Sequence, residues 1–578
     1  MTRRPSELVD LLRSSGSYFA TAGAFSLAIN LLYLAGPLYM LQLYDRVVPS
    51  GSEVTLVMLT LVLLLAYLTL SGLDIARAHV LTRASVRIDR RVAPRIMTAI
   101  VERPAVAGGA RSQFLRDFDS FRQFISGSGI HALFDLPWAP IYIAVIFMLH
   151  WSLGAFALGC SVLLVLMALA NEWLVDAPLS DANAASARNY SFTEMSLRNV
   201  EAIRAMGMIE GVLARWARDR SQMISRQVTA SDRAATIQSL IRFLRLSMQS
   251  VILGLGAYLV IEKTVTAGSM FAASLLLGRA LLPIEQVVGS WRNLVSVRGA
   301  WTRLVALFGE RHARPTPIAL PRPKGQLSVE AASYVAPGQA KPILRSVSFS
   351  IDAGEVLAVI GPSGAGKSTL ARHLVGVLQP SAGTVRLDGA DVATWSRGTL
   401  GRYVGYLPQD IELFSDTVAA NINRFQPGDD QETVHATQMA GVHELILRLP
   451  DGYETAVGEG GAVLSGGYRQ RLALARAVYG HPSLVVLDEP SSNLDADGDL
   501  ALARCVQALK ERGTTVVLVS HRPSTISMAD KILVLRDGAV EMFGPRADVL
   551  AHLNRVSAVA PPATVQAMRR PANTARAQ

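Results

Sequence analysis

Gly354–Leu374 reads GEVLAVIGPSGAGKSTLARHL. Its apolar run, Val356–Ile360, has the length of a buried β-strand. A glycine-rich turn follows, Gly361-Pro362-Ser363-Gly364-Ala365-Gly366, and Lys367-Ser368-Thr369 then opens a helical pattern. Strand, turn and helix in that order satisfy G-x-x-x-x-G-K-[ST], the phosphate loop. Glycines let the backbone curl its N–H groups around an anion, which a Cβ would obstruct. The dipole of the helix adds favourable charge at the same point. Lys367 is expected to reach the β- and γ-phosphates, and Ser368 to ligate Mg²⁺.

Working outward, strand-like Ser483–Leu487 ends in Asp488-Glu489, so two carboxylates emerge at the C-terminal end of a buried strand. In an open α/β sheet that edge is where ligands bind. The first acid suits Mg²⁺ and the second can polarise an attacking water. Strand-plus-DE means little alone; downstream of a phosphate loop it is specific. Leu464-Ser465-Gly466-Gly467-Tyr468-Arg469-Gln470-Arg471 leads into the helical run Leu472–Tyr479. This is a second glycine-opened helix start and hence a second anion site, which a simple phosphate-loop enzyme does not need.

The chain has 578 residues, enough for two or more domains. Its two cysteines, Cys160 and Cys505, imply no disulfide framework. The net charge of +10 admits a nucleic-acid partner. The surplus, however, is largely arginine beside long apolar segments, the pattern of the cytoplasmic face of a membrane protein. No nucleic-acid partner is expected.

The first half holds six candidate spans: Tyr18–Leu43, Val54–Leu73, Phe134–Leu149, Leu153–Leu174, Met248–Ile261 and Ser269–Val288. A crossing helix needs about 20 mostly apolar residues. The third is short, with Pro137 and Pro140 at its start. The first is too long for a signal-peptide core and has no adjacent cleavage pattern, so it reads as a retained span. Arginines crowd the connections after spans two and four, from Arg77 to Arg95 and from Arg198 to Arg233, and nearly avoid the short ones. The positive-inside rule then puts both termini and both long loops in the cytoplasm. Within the first loop, Phe114, Phe118, Phe121 and Ile125 form one helical stripe. Plain helix packing and contact with an ATPase domain both account for it. Arg279, Glu285 and Gln286 are the clearest polar residues in span six, where such groups are costly and mark function or packing.

The expected organisation is a cytoplasmic segment 1–17, a six-helix membrane domain 18–310, a Pro-rich linker 311–324, an ATPase domain 325–556 and a disordered basic tail 557–578. The fold class is therefore a multidomain membrane protein: all-α transmembrane helices followed by an α/β phosphate-loop domain.

These motifs together resemble an ATP-binding cassette exporter half-transporter. LSGG matches that family's signature, with Tyr468 where the family usually has Gln. By resemblance, Gln409 in YLPQD is the glutamine that senses Mg²⁺ and the membrane half. Asn493-Leu494-Asp495 resembles the D-loop, His521 the switch histidine, and Tyr334 the aromatic that stacks on adenine. Val457-Gly458-Glu459 resembles the exporter segment that meets coupling helices. The resemblance implies ATP and Mg²⁺, with Ser368, Gln409 and Asp488 toward the metal and Glu489 as general base. It also implies a homodimer, in which each ATP lies between one chain's phosphate loop and the other's Ser465-Gly466-Gly467.

The run from Leu115 to His150, LRDFDSFRQFISGSGIHALFDLPWAPIYIAVIFMLH, resembles the protease- and haemophore-secreting branch of type I secretion ABC transporters. So do NVEAIRAMGM (Asn199–Met208), LLGRALLPIEQVVGSWR (Leu276–Arg292) and SNLDADGD (Ser492–Asp499). That branch implies export of an unfolded polypeptide with an uncleaved C-terminal signal, RTX-type cargo included, across the bacterial inner membrane. It implies a periplasmic membrane-fusion adaptor and a TolC-like outer-membrane channel as partners, besides the lipid bilayer. The few residues ahead of span one suggest that no N-terminal peptidase-type domain precedes it. An exporter of lipids or small amphiphiles would share every cassette motif. A soluble DNA-repair-type cassette would share the nucleotide motifs but not the membrane-length runs.

Overall fold

The computed structural model describes residues 15–102, 111–309, 320–427, 429–461 and 463–559. The chain divides into two compact units, Met1–His312 and Ala313–Gln578.

Among the described residues of the first unit, six helical segments are long and apolar enough to cross a membrane: Gly16–Ser50, Glu53–Glu102, Gly129–Leu149, Trp151–Arg198, Ile209–Ile261 and Ala267–Gly289. The first segment is interrupted where an unbroken helix was expected. Helix α1 (Gly16–Leu32) turns at Tyr33–Leu34 before α2 (Ala35–Gln42). Pro37 has no N–H to offer the Tyr33 carbonyl four residues back, so the ladder fails there. A π-helical turn, Leu43–Val47, follows. Its Asp45 accepts from Thr266 Oγ1 at 2.6 Å and from the Gly268 N–H at 2.9 Å, tying the end of this segment to the start of the sixth. The third segment also departs from expectation. It begins before Phe134, as α5 (Ser128–Asp135) after α3 (Glu53–Glu102) and α4 (Arg111–Ser126), and passes through a 3₁₀ turn, Leu136–Trp138, into α6 (Ala139–Leu149). Pro137 and Pro140 tighten the helix without ending it, because each falls in the first turn of a new segment.

The long loops are largely continuations of the spans, with α4 a separate helix in the first of them. Helix α3 has 50 residues, α7 (Trp151–Arg198) 48, and α9 (Ile209–Ile261), reached through the short α8 (Val200–Ala205), 53. At about 1.5 Å per residue each is roughly 75 Å long, against about 30 Å of hydrocarbon. The remaining helices are α10 (Ala267–Gly289) and α11 (Trp291–Gly309). The stripe on α4 is packing. Phe118 and Ile125 are buried among Ile88, Val92 and Ile96 of α3 and Leu304, Leu307 and Phe308 of α11. Asp117 of the same helix takes a bidentate pair from Arg303, at 2.6 and 2.8 Å.

Several polar groups inside the bundle are paired, whereas the side chains of Asn171 and Asn189 hold buried polar atoms without a partner among the described residues. Arg77, 4 % exposed, donates to Ser26 Oγ at 2.6 Å, Asp135 Oδ1 at 2.9 Å and Asp74 Oδ1 at 2.7 Å. Asn30 donates to the same Asp135 oxygen at 2.9 Å and accepts from the Tyr142 hydroxyl at 2.8 Å. Three helices, α1, α3 and α5, thus meet on one carboxylate, and α6 joins them through Asn30. In α10, the Arg279 guanidinium lies 3.6 Å over the Tyr33 ring. Glu285 pairs with Arg245 and, at 3.5 Å, with Arg242.

The second unit, as described, contains a four-stranded antiparallel sheet and a six-stranded, mostly parallel one. The first runs in the order β2 (Leu344–Ile351), β1 (Leu327–Tyr334), β4 (Ala382–Leu387), β5 (Ala390–Asp391). In the second, β10 (Ala539–Pro545) and β9 (Lys531–Arg536) flank β3 (Val356–Ile360), β8 (Thr515–Val519), β7 (Leu484–Asp488) and β6 (Val404–Leu407). VLAVI, LVVLD and TVVLV are apolar nearly throughout because both faces of this sheet are covered. Val356 and Ala358 pack into one core, Leu357 and Val359 into the other. The final helix, Arg546–Val559, continues three residues beyond 556, where the ATPase domain was expected to end. Residues 560–578, and the linker prolines Pro315 and Pro317, lie outside the described residues.

Candidate functional site

Because β3, β8, β7 and β6 run parallel, whatever follows each of them emerges at one edge of the sheet. After β3 comes the turn Gly361–Gly366 and then α12 (Lys367–Leu374); after β6, Gln409; after β7, Asp488 and Glu489; after β8, His521. Gly361 has φ 152°, and a Cβ there would stand 2.1 Å from the Leu535 carbonyl oxygen, so the turn admits only glycine. Pro362, Ser363, Gly364 and Ala365 complete the loop, with the Ala365 N–H donating to the Pro362 carbonyl at 3.2 Å. Lys367 Nζ donates to the carbonyls of Gly361 and Pro362, both at 2.9 Å, which places its ammonium over the loop. Thr369 lies in the first turn of α12.

Ser368 Oγ is 3.2 Å from Asp488 Oδ1 and 3.5 Å from Gln409 Oε1. These are hard oxygen donors, one of them anionic, the set a small divalent cation takes. Asp488 is 1 % exposed, and burial raises its pKa, with the hydrogen bond from Ser368 opposing the shift. A buried carboxylate so placed is stabilised by a cation. The residues fit Mg²⁺.

Gln409 Nε2 donates to Glu489 Oε2 at 3.4 Å, and His521 Nδ1 lies 4.0 Å from Glu489 Oε1. Glu489 has φ 51°, a left-handed conformation that costs a non-glycine residue about 1–3 kcal/mol. It is held by its own N–H, 2.9 Å from the Val519 carbonyl. Ser368, Gln409, Asp488, Glu489 and His521 therefore form one connected cluster.

Ser465 caps α13 (Gly466–Val478), accepting from the Tyr468 N–H at 3.4 Å. Tyr468 fills the usual glutamine position, and its hydroxyl donates to the Leu445 carbonyl. No hydrogen bond among the described residues joins Ser465, Gly466 or Gly467 to the phosphate-loop cluster of the same chain. Tyr334 ends β1 with its ring against His373 of α12, centroids 4.9 Å apart.

Sequence reasoning missed Gln470. It is 1 % exposed; its Nε2 donates to the carbonyls of Glu489 (3.2 Å) and Pro490 (2.8 Å). Its Oε1 accepts from Ser492 (3.4 Å) and Asn493 (3.2 Å). It thus binds the signature helix to the strand exit carrying Glu489. The available signal was an amide on the apolar face of α13, beside Leu474 and Ala477.

Residues 344–492 match the model of the ABC transporter family, and residues 19–282 that of the ABC transporter transmembrane region. The type I secretion system ATP-binding protein PrsD of Rhizobium meliloti (strain 1021) is 41% identical over 94% of this chain and 94% of its own. This chain belongs to the type I secretion ABC transporters. The toxin RTX-I translocation ATP-binding protein of Actinobacillus pleuropneumoniae is 29% identical, over 92% of this chain and 76% of its own. A bacterial Atm1-family ABC exporter solved with ATP bound matches with a TM-score of 0.80 over 95% of this chain and 99% of that one. At 23% identity it shows the fold alone. The protein is a multi-pass membrane ABC exporter whose ATPase domain binds and hydrolyses ATP to drive transport.

Proposed function

We propose that this transporter drives an unfolded polypeptide, recognised by a C-terminal signal, through the bacterial inner membrane. It works as a homodimer with its ATPase units and termini in the cytoplasm, joined to a periplasmic adaptor and a TolC-like outer-membrane channel. The relatives support this cargo class, since two of them are named for toxin and leukotoxin translocation. The lipid or amphiphile alternative has no comparable support among them.

In this reading the phosphate-loop N–H groups and Lys367 hold the β- and γ-phosphates, and Tyr334 stacks on adenine. Ser368, Asp488 and Gln409 would hold Mg²⁺, which neutralises phosphate charge when bound. Glu489 orients and polarises the attacking water as general base, and His521 lies within reach of both Glu489 and the terminal phosphate. Ser465, Gly466 and Gly467 complete the site on the partner's nucleotide. That completion explains why one chain carries two anion-binding helix starts, although among the described residues no hydrogen bond joins Ser465, Gly466 or Gly467 to the phosphate-loop cluster. The observation that carries the reading is the Ser368–Asp488–Gln409–Glu489–His521 cluster at one sheet edge, in a chain whose described residues include six candidate spans.

Glu489→Gln tests it. The variant should bind ATP, nearly lose hydrolysis and accumulate as a nucleotide-bound dimer. Wild-type turnover would overturn the assignment. For cargo, a C-terminal secretion peptide should change the ATPase rate of the wild type where amphiphiles do not.

A further inference from the structure

His373 is 1 % exposed in the last turn of α12, the helix that the phosphate loop opens. Its Nδ1 lies 3.0 Å from the Leu378 carbonyl, a contact that is a hydrogen bond only when Nδ1 carries the proton. Nε2 has no hydrogen-bond partner. Burial lowers the pKa of the imidazole, which keeps it neutral. Its ring is therefore fixed in tautomer and in rotation.

The group set against that ring is Tyr334. The two rings meet edge-on, 4.9 Å apart at 68°, the arrangement aromatic quadrupoles favour. The backbone of Tyr334 is fixed separately: its carbonyl accepts from the Ile343 N–H at 2.7 Å, and the next N–H donates to Ser381 Oγ at 3.1 Å. What remains free is the tilt of the side chain.

We propose that His373 is a positioning residue for ATP, setting the tilt of the Tyr334 ring and so linking the adenine platform to the phosphate-loop helix. This rests on the reading of Tyr334 as that platform. An aliphatic residue at 373 would fill the space, but nothing would pin its orientation. A ring hydrogen-bonded to Leu378 has one.

The test uses the full chain in nanodiscs, with steady-state hydrolysis of ATP and of CTP, whose smaller base stacks less. In His373→Asn the amide still donates toward Leu378 but the ring is gone. Its KM for ATP should rise about fivefold with kcat within twofold, and its preference for ATP over CTP should fall by a similar factor. In His373→Phe the ring stays and the Leu378 bond is lost. That variant should melt at lower temperature, and its KM for ATP should rise about twofold, less than in His373→Asn, because the ring is present but no longer pinned by Leu378. A His373→Asn protein with unchanged KM and unchanged base preference overturns the proposal. So does a His373→Phe protein whose KM for ATP rises as far as that of Tyr334→Ala, a result that holds even if the Asn variant does not fold. Tyr334→Ala separates the two readings: if it leaves the KM for ATP unchanged, the platform assignment itself is wrong. If it raises the KM while His373→Asn does not, only the role of His373 fails.

Discussion

Gln470→Leu removes an amide that makes four hydrogen bonds and puts an apolar group of similar size in its place. The Pro490 carbonyl, 2.8 Å from Nε2 in a buried contact, loses its partner. An orphaned buried acceptor costs about 1–3 kcal/mol. The longer bonds to Glu489, Ser492 and Asn493, at 3.2–3.4 Å, add about 1 kcal/mol between them. The total, about 2–4 kcal/mol, corresponds to a fall of about 5–10 °C in the unfolding midpoint of a domain this size. Turnover should suffer as well, because the same amide helps hold Glu489 in its left-handed conformation at φ 51°. Scanning calorimetry of the full chain in nanodiscs reads the first effect and steady-state ATP hydrolysis the second, with at least a tenfold loss of kcat expected. A lower midpoint with wild-type kcat would refute the link from Gln470 to the geometry of Glu489. If neither changed, the hydrogen-bond accounting itself would be wrong.

Asp135→Ala takes one of two carboxylates from the buried guanidinium of Arg77, with Asp74 remaining, a loss of about 1–3 kcal/mol. Sharply reduced recovery of monodisperse protein from detergent is the expected outcome, with Asp135→Asn less severe. Tyr468→Phe deletes only the hydroxyl that donates to Leu445, so a loss near 1 kcal/mol and a two- to threefold lower ATPase rate are expected. Arg279→Ala uncovers the Tyr33 ring; secretion of cargo should fall while basal ATP hydrolysis stays within twofold, and unchanged secretion would confine Arg279 to packing.

The cluster at the sheet edge was legible because each of its parts is written locally. A strand, a glycine turn and Lys367-Ser368 lie within one short stretch, and Asp488-Glu489 ends a strand whose burial shows in its own letters. Parallel pairing then does the assembly, since strands aligned in one direction bring their exits together. The number of spans was legible for a similar reason: apolar length is a local property. What escaped was set by partners distant in sequence. Asp135 gathers Ser26, Asn30 and Arg77, none of which signals the others. Gln470 and His373 each look like a stray polar residue on an apolar helix face until the groups they bond are known. The interruption at Tyr33–Leu34 was local and still missed, because Pro37 acts on a carbonyl four residues earlier, inside an otherwise uniform apolar run.

The length of α3, α7 and α9 has a mechanical consequence. Their apolar segments sit at one end, so each projects about 45 Å beyond the hydrocarbon as continuous helix. A rod of that reach magnifies small rotations: tilting it by about 10° at the membrane surface sweeps its tip through about 8 Å. Modest displacement at the tips thus becomes a fine angular adjustment within the lipid, as in a reduction gear, and shortening these arms would coarsen the ratio.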